Sequence, residues 1–389
     1  MSSVLIDRRL IRFFDWGLFL ISIAIPVVGL VVLYSAGYNP DAENTGWLPF
    51  GFESQAFTKQ LMYFLAGLFV MAIGFTISPQ WVFRSAWWIY CGAILLLIAV
   101  LIFGVKINGA RSWIPLGGGF NIQPAEFMKL GVVIALSRYL TLHAPKEGTF
   151  RLYQLFMPAL IVAFPVSLIM LQPDFGSAAA LTCTSTLMII FVGINRRLVI
   201  TSAIVGVILV AASAPLIWNN LKPHQQRRLA TFINPEADPK GSGYHITQSI
   251  IAVGSGEFFG KGFLGGTQTQ LAFLPEHTTD FIFSVLAEEW GFVGSVLVVA
   301  LYLLLIIRLA MVALRAKDSF GVFLSVGVGA AFFVHSFINI GMVIGVIPVV
   351  GIPLPLLSYG GSSVLSMMLA LGLILGISMR RTSFAQGGK

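Results

Sequence analysis

The sequence predicts an all-α integral membrane protein of ten transmembrane helices. One long extracytoplasmic loop falls between spans seven and eight, both termini are cytoplasmic, and residues 1–389 form a single polytopic domain. Three observations predict this. Hydrophobic residues fill 57% of the 389 positions and charged residues only 10%, where a soluble domain carries about 25%. The apolar residues gather in continuous runs of roughly 20, the number a helix needs to cross a bilayer. Basic residues collect in alternate connections, as the topology bias of short loops requires. A soluble enzyme, a disordered chain and a disulfide scaffold are excluded, because too few charges exist to cover a water-facing surface. The net charge of +8 marks topology before any partner, and no nucleic-acid role is expected.

The runs cover about 15–36, 58–78, 85–104, 125–142, 154–172, 175–194, 198–217, 281–306, 320–345 and 362–379. Unclosed strands would leave backbone groups unsatisfied in lipid, and a barrel would show short alternating segments. The first run follows Arg8, Arg9 and Arg12. It is too long for the apolar core of a signal peptide and lacks a following A-x-A site, so it reads as a retained span. With the N-terminus inside, the cytoplasmic segments hold 15 of the 24 basic residues and 4 of the 16 acidic ones. Cys91 and Cys183 fall inside spans and are expected to be small buried residues with no disulfide.

Most connections are short, but residues 218–280 form a stretch far beyond the usual length. It carries the Gly-rich segment Gly254-Ser-Gly-Glu-Phe-Phe-Gly-Lys-Gly262. A Walker loop would need Gly at Ser255 and Ser or Thr at Gly262, and the dinucleotide pattern would need Gly at Phe259. Neither fits. A flexible backbone carrying one cation, Lys261, remains, suited to a phosphate or a carboxylate.

Ionisable groups at the rim of spans are costly and therefore functional candidates. Glu126 and Lys129 open the fourth span in Gln123-Pro-Ala-Glu-Phe-Met-Lys129 and share a helix face. They read equally as a self-paired helix start. Arg111 precedes them in Asn108-Gly-Ala-Arg-Ser-Trp-Ile114. Asp174, in Gln172-Pro-Asp-Phe-Gly176, reads as a helix cap or as an acid facing the same cavity. Asp280 is a plausible cap of the eighth span, yet Asp280, Ser284 and Glu288 recur every four residues along one face. Glu289 is turned about 100° from Glu288. Residues 347–363 hold three prolines and three glycines, so the backbone there is irregular and must line a cavity or be covered by protein. His335, in the ninth span, reads as a hydrogen-bonded residue of the bundle before a metal ligand.

These motifs, with Leu274-Pro-Glu, Thr279-Asp-Phe-Ile-Phe and Pro355-Leu-Leu-Ser-Tyr-Gly-Gly-Ser362, resemble the shape, elongation, division and sporulation (SEDS) family over nearly the whole chain. The segment Asn339-Ile-Gly-Met-Val-Ile-Gly-Val-Ile-Pro348 resembles the rod-shape branch more than the division branch. The resemblance implies a peptidoglycan glycosyltransferase that polymerises lipid II on the outer face of the bacterial cytoplasmic (inner) membrane. It further implies a class B penicillin-binding protein as transpeptidase partner, and other elongation-complex membrane proteins. The family's essential Asp falls on Asp280, the expected catalytic base.

The expected substrate-binding set is Arg111, Glu126, Lys129, Asp174, Lys261, Glu288, Ser358 and Ser362. No dedicated cofactor is evident, and a divalent cation (Mg or Mn) could share the substrate diphosphate charge. Two departures stand out. His277 is one position early in Pro275-Glu-His-Thr-Thr-Asp280, and Glu257 stands where the family often has Gly. The competing readings are a flippase for lipid-linked precursor and a non-enzymatic scaffold for a penicillin-binding protein.

Overall fold

The structure is a computed structural model and describes residues 14–38, 55–107, 110–117, 120–145, 152–193, 242–270 and 278–380. Its helices, numbered here in chain order, are α1 (Trp16–Ala36), α2 (Gln55–Thr76), α3 (Pro79–Phe103), α4 (Pro124–His143), α5 (Phe156–Leu171), α6 (Phe175–Gly193), α7 (Ser242–Ser255), the short α8 (Thr267–Gln270), α9 (Ile282–Arg315), α10 (Ser319–Val343) and α11 (Gly361–Met379). A 3₁₀ turn, Leu152–Leu155, leads into α5.

Among the described residues, eight helices are long and apolar enough to cross a membrane. The exception among the long helices is α4, which has 20 residues but carries Glu126, Lys129 and Arg138. Nine of the expected runs are therefore helical. The run at 198–217 lies outside the described residues, as do 218–241 and 271–277 of the long loop. The described part of that loop is more ordered than its composition suggested, since it forms α7 and α8.

Local chemistry sets the helix starts. The Asp15 carboxylate accepts from Leu18 N at 2.9 Å, and the Ser78 hydroxyl accepts from Trp81 N at 3.3 Å. Pro79 and Pro124 occupy first-turn positions, where a missing N–H costs nothing. The expected end of the eighth span near residue 306 falls short, because α9 continues to Arg315. Arg308, inside the extended helix, stands 3.7 Å from Asp15.

The all-α expectation needs one correction. Between α3 and α4 lies a small antiparallel sheet of β1 (Val105–Ile107), β2 (Ala110–Gly117) and β3 (Phe120–Ile122), in the order β1-β2-β3. Lys106 pairs with Arg111, and Ile114 with Ile122. The strands are confined to a connection, so they leave no open edge within a span.

The bundle is built around α11, which is buried on almost every side. By contrast α3 and α5 present Trp88, Phe103 and Leu171 outward. Cys91 and Cys183 are also exposed on the bundle surface, which corrects the expectation of burial. Lipid is as apolar as a helix interior, so a small apolar side chain gains little by turning inward. Arginine side chains donate to backbone carbonyls at the end of the bundle remote from the sheet. Arg138 donates to Arg84 O at 2.8 Å, and Arg380 donates to Ile77 O at 2.6 Å and Thr76 O at 2.8 Å.

Helix α9 is interrupted at Gly291, whose φ of 65° and ψ of −161° are not helical. The break would orphan two donors and two acceptors of the i→i−4 ladder. The Gly-rich loop satisfies all four. Phe292 N and Val293 N donate to Glu257 O (3.0 Å) and Phe258 O (3.2 Å). Glu288 O and Glu289 O accept from Lys261 N (3.0 Å) and Gly262 N (2.9 Å). Residues 257–262 are thus spliced into the helix. A Cβ on Gly291 would collide with Gly260 N, and its positive φ favours glycine as well.

Candidate active site

The N-termini of α4, α6, α9 and α11 meet around residues 344–360. This segment connects α10 to α11 without regular structure, as its prolines and glycines predicted. Gln123, the residue before α4, ties three elements together. Its side-chain amide donates to Asp174 Oδ2 at 2.7 Å, and its backbone N donates to the Ser362 hydroxyl at 2.9 Å. Asp174 Oδ1 accepts from Ser177 N at 3.0 Å, so Asp174 does cap α6. A Cβ on Gly176 would come within 2.8 Å of Val350 O, which places the first turn of α6 against the irregular segment.

Side chains pin that segment from several sides. Gln60 donates to Ser358 O at 3.0 Å and accepts from Gly360 N at 3.1 Å. The Ser358 hydroxyl accepts from Leu354 N at 2.8 Å, and Tyr302 donates to Pro355 O at 2.6 Å. Tyr359 N donates to Thr278 O at 2.9 Å, and burial raises the Tyr359 phenol above its usual value. Ser358 and Ser362 are both buried and engaged within the protein.

Asp280 stands at the mouth of this hub. It is half-buried, neither on the apolar outer surface nor sealed in the core. The helix it was expected to cap begins at Ile282, and Phe281 holds the cap position with no side-chain capping bond. The Asp280 carbonyl accepts from Asn339 Nδ2 at 2.8 Å. A Cβ on Gly351 would lie 3.3 Å from Asp280 Oδ2, and Gly351 has φ of 74°, so a side chain there is opposed by both backbone and carboxylate. The Phe281 ring stacks on His245 with centroids 6.2 Å apart.

Of the face expected to run from Asp280 through Ser284 to Glu288, the two helical members point inward. Ser284 bonds Ser249 at 2.8 Å and Glu288 is fully buried. Glu289 is buried too, and accepts a hydrogen bond from Ser35.

The expected cations divide into paired and exposed groups. Lys129 Nζ lies 2.8 Å from Glu126 Oε1 and 2.8 Å from His335 Nε2, with only 8% of its side chain exposed. His335 is completed by Ala331 O at 2.7 Å, so it is a hydrogen-bonded residue of the bundle. Sequence reasoning placed Glu126 beside Lys129 but did not find His335 as its third member. Lys261 Nζ pairs with Glu288 Oε1 at 2.7 Å, which also accepts from Thr267 (2.9 Å) and Gln268 N (3.1 Å). Arg111 is exposed on β2 and donates to Leu101 O at 3.3 Å. Asn339, fully buried and directly bonded to the Asp280 peptide, was not among the expected site residues. An Asn one turn beyond His335 in a long, mostly apolar span is the signal that could have found it.

This architecture is that of a polytopic membrane protein with a polar hub at one end of its bundle, where the half-buried Asp174 and Asp280 both stand. The chain belongs to the FtsW/RodA/SpoVE family of cell cycle proteins, whose family model matches residues 15–383. It is 39% identical over 340 residues to the peptidoglycan glycosyltransferase MrdB of Escherichia coli K12, covering 86% of this chain and 89% of that protein. A solved structure concerned with the coordination of polymerization and crosslinking by a peptidoglycan synthase complex matches with TM-score 0.78 and 32% identity, covering 95% of this chain and 98% of the other. The rod shape determining protein RodA of Thermus thermophilus matches with TM-score 0.67, 29% identity and the same coverage.

Proposed function

We propose that this protein is a peptidoglycan glycosyltransferase that polymerises lipid II into glycan strands during cell elongation and rod-shape maintenance. It works in the bacterial cytoplasmic membrane with a class B penicillin-binding protein. In this reading ten spans cross the membrane, both termini are cytoplasmic and the hub faces outward. Arg138 and Arg380, at the end of the bundle remote from the hub, then lie on the cytoplasmic side, as the charge bias requires. The family relationship supports the activity. The observation that carries the site is the half-buried Asp280 carboxylate beside four converging helix N-termini.

The reaction joins a sugar 4-hydroxyl to the anomeric carbon of another lipid-linked chain. Asp280 takes the hydroxyl proton, the oxygen forms the new C–O bond, and the anomeric C–O bond to the lipid diphosphate breaks. The converging helix N-termini turn positive dipole ends toward the hub, which stabilise the negative charge developing on the departing diphosphate. Arg111 is the exposed cation suited to meet that diphosphate. Lys129 and Lys261 act within their ion pairs, Asp174 and Gln123 hold the helix starts together, and Ser358 and Ser362 fix the irregular segment.

Among the described residues no three His, Cys, Asp or Glu side chains converge to hold a metal. The described protein groups therefore form no cage of their own for a divalent cation.

The test is lipid II polymerisation by full-length Asp280→Asn protein together with its transpeptidase partner. Loss of glycan product in a folded complex is expected. Glycan chains formed at the parent rate would overturn the assignment of the base, and lipid transport across vesicles without product would favour a flippase.

A further inference from the structure

We infer that Asn339 is a positioning residue for the Asp280 carboxylate. The inference rests on the proposed function, because it takes Asp280 as the group that accepts the proton. Asn339 lies on α10, one helical turn beyond His335, and is fully buried. Its Nδ2 donates to Asp280 O at 2.8 Å and to Ile352 O at 2.7 Å.

Those two carbonyls belong to the two segments that flank the carboxylate. One is the peptide of Asp280 itself, just before α9. The other follows Gly351, the residue whose Cβ position would lie 3.3 Å from Asp280 Oδ2. A single amide therefore fixes both the backbone from which the carboxylate springs and the wall beside it. The Tyr359–Thr278 backbone bond of 2.9 Å holds the same two segments a few residues away.

The chemistry of the amide explains why this position is Asn. A primary amide offers two N–H donors on one nitrogen, and here each meets a different carbonyl. Asp or a flipped amide would set an oxygen against two oxygens. Leu would leave both carbonyls unpaired, and Ser could satisfy only one. The Asn339 Oδ1 atom is buried with no hydrogen-bond partner among the described residues, so the donor side of the group sets its orientation.

Asn339 bonds the Asp280 peptide, not its carboxylate, and so acts through backbone placement. Displacement of a reacting group by about 1 Å can lower the rate about 100-fold. Loss of Asn339 should therefore appear in kcat, with substrate affinity largely kept.

The experiment uses full-length Asn339→Ala and Asn339→Ser proteins in complex with the transpeptidase partner. Lipid II polymerisation is measured against substrate concentration and pH, and thermal melting reports folding. The expected result for the Ala variant is a fall in kcat of roughly 10- to 100-fold with KM within about twofold. The acidic limb of its pH–rate profile should also shift, which a role in stability alone would not produce. The Ser variant, which keeps one donor, should fall between Ala and the parent, and it decides the question if the Ala variant does not fold. A folded variant with the parent kcat and pH profile, or one changed only in KM, overturns the inference. Asp280→Asn is assayed alongside. If it retains the parent rate, the reading of Asp280 fails. If it is inactive while folded Asn339 variants run at the parent rate, the positioning role alone fails.

Discussion

The chain leaves regular helix at two places near the hub, and the two are repaired by different means. At Gly291 the orphaned backbone groups of α9 are met by other backbone groups, those of residues 257–262. In the segment 344–360 backbone bonds are supplemented by side chains, which hold residues 352–360 through Gln60, Tyr302, Ser358 and Asn339. The first repair depends on chain geometry and little on side-chain identity. The second depends on particular amides and hydroxyls. The segment beside Asp280 is therefore the more sensitive to substitution by similar-sized residues, while the splice is sensitive to an added Cβ.

This contrast can be broken by substitution, with melting of the detergent-solubilised protein as the measure. The largest effect is expected for Gly291→Ala. It combines a non-helical positive φ with collision against Gly260 N, and should cost about 3–5 kcal/mol. Gln60→Leu keeps volume but leaves Ser358 O and Gly360 N without their partner, for about 2–3 kcal/mol. An effect near zero there would remove the case for side-chain repair.

Lys261→Met leaves the fully buried Glu288 carboxylate without its cation. Because the Lys261 side chain is 29% exposed and Thr267 and Gln268 N still donate, a loss of about 1–2 kcal/mol is expected. The smallest change, and one of opposite sign, is Glu257→Gly. Glu257 has φ of 49°, where glycine avoids a steric cost that other residues carry. A gain of up to about 1 kcal/mol would follow, and a clear loss would mean that the Glu257 side chain itself supports the splice.

The same φ gives a physical reason for the family's frequent glycine at that position. It also shows what sequence can and cannot carry. The long apolar runs were legible because lipid enforces length and composition together. Asp174 was legible as a cap because its partner, Ser177 N, is three residues away. The Glu126–Lys129 pair was legible for the same local reason.

The break in α9 was not legible, because Trp290-Gly-Phe292 continues an apolar pattern and a single Gly is tolerated in helices. The function of the Gly-rich segment was equally hidden, since its backbone partners lie some thirty residues away. Lys129 and His335 are 206 positions apart, a separation for which periodicity offers no guide. The small sheet was missed because two of its strands have only three residues, too few for alternation to register. In the site, the identity of Asp280 came from the family's motif, while its neighbours Asn339 and Gly351 became apparent only once the helix ends were brought together.

The outward placement of Cys91 and Cys183 has a practical consequence. Each thiol sits on the surface of a different helix, α3 or α6. A fluorophore or nitroxide attached at either one would report its depth among the acyl chains from the outside of the bundle. Quenching by lipids labelled at known carbons would then measure how the bundle is seated and tilted in a bilayer.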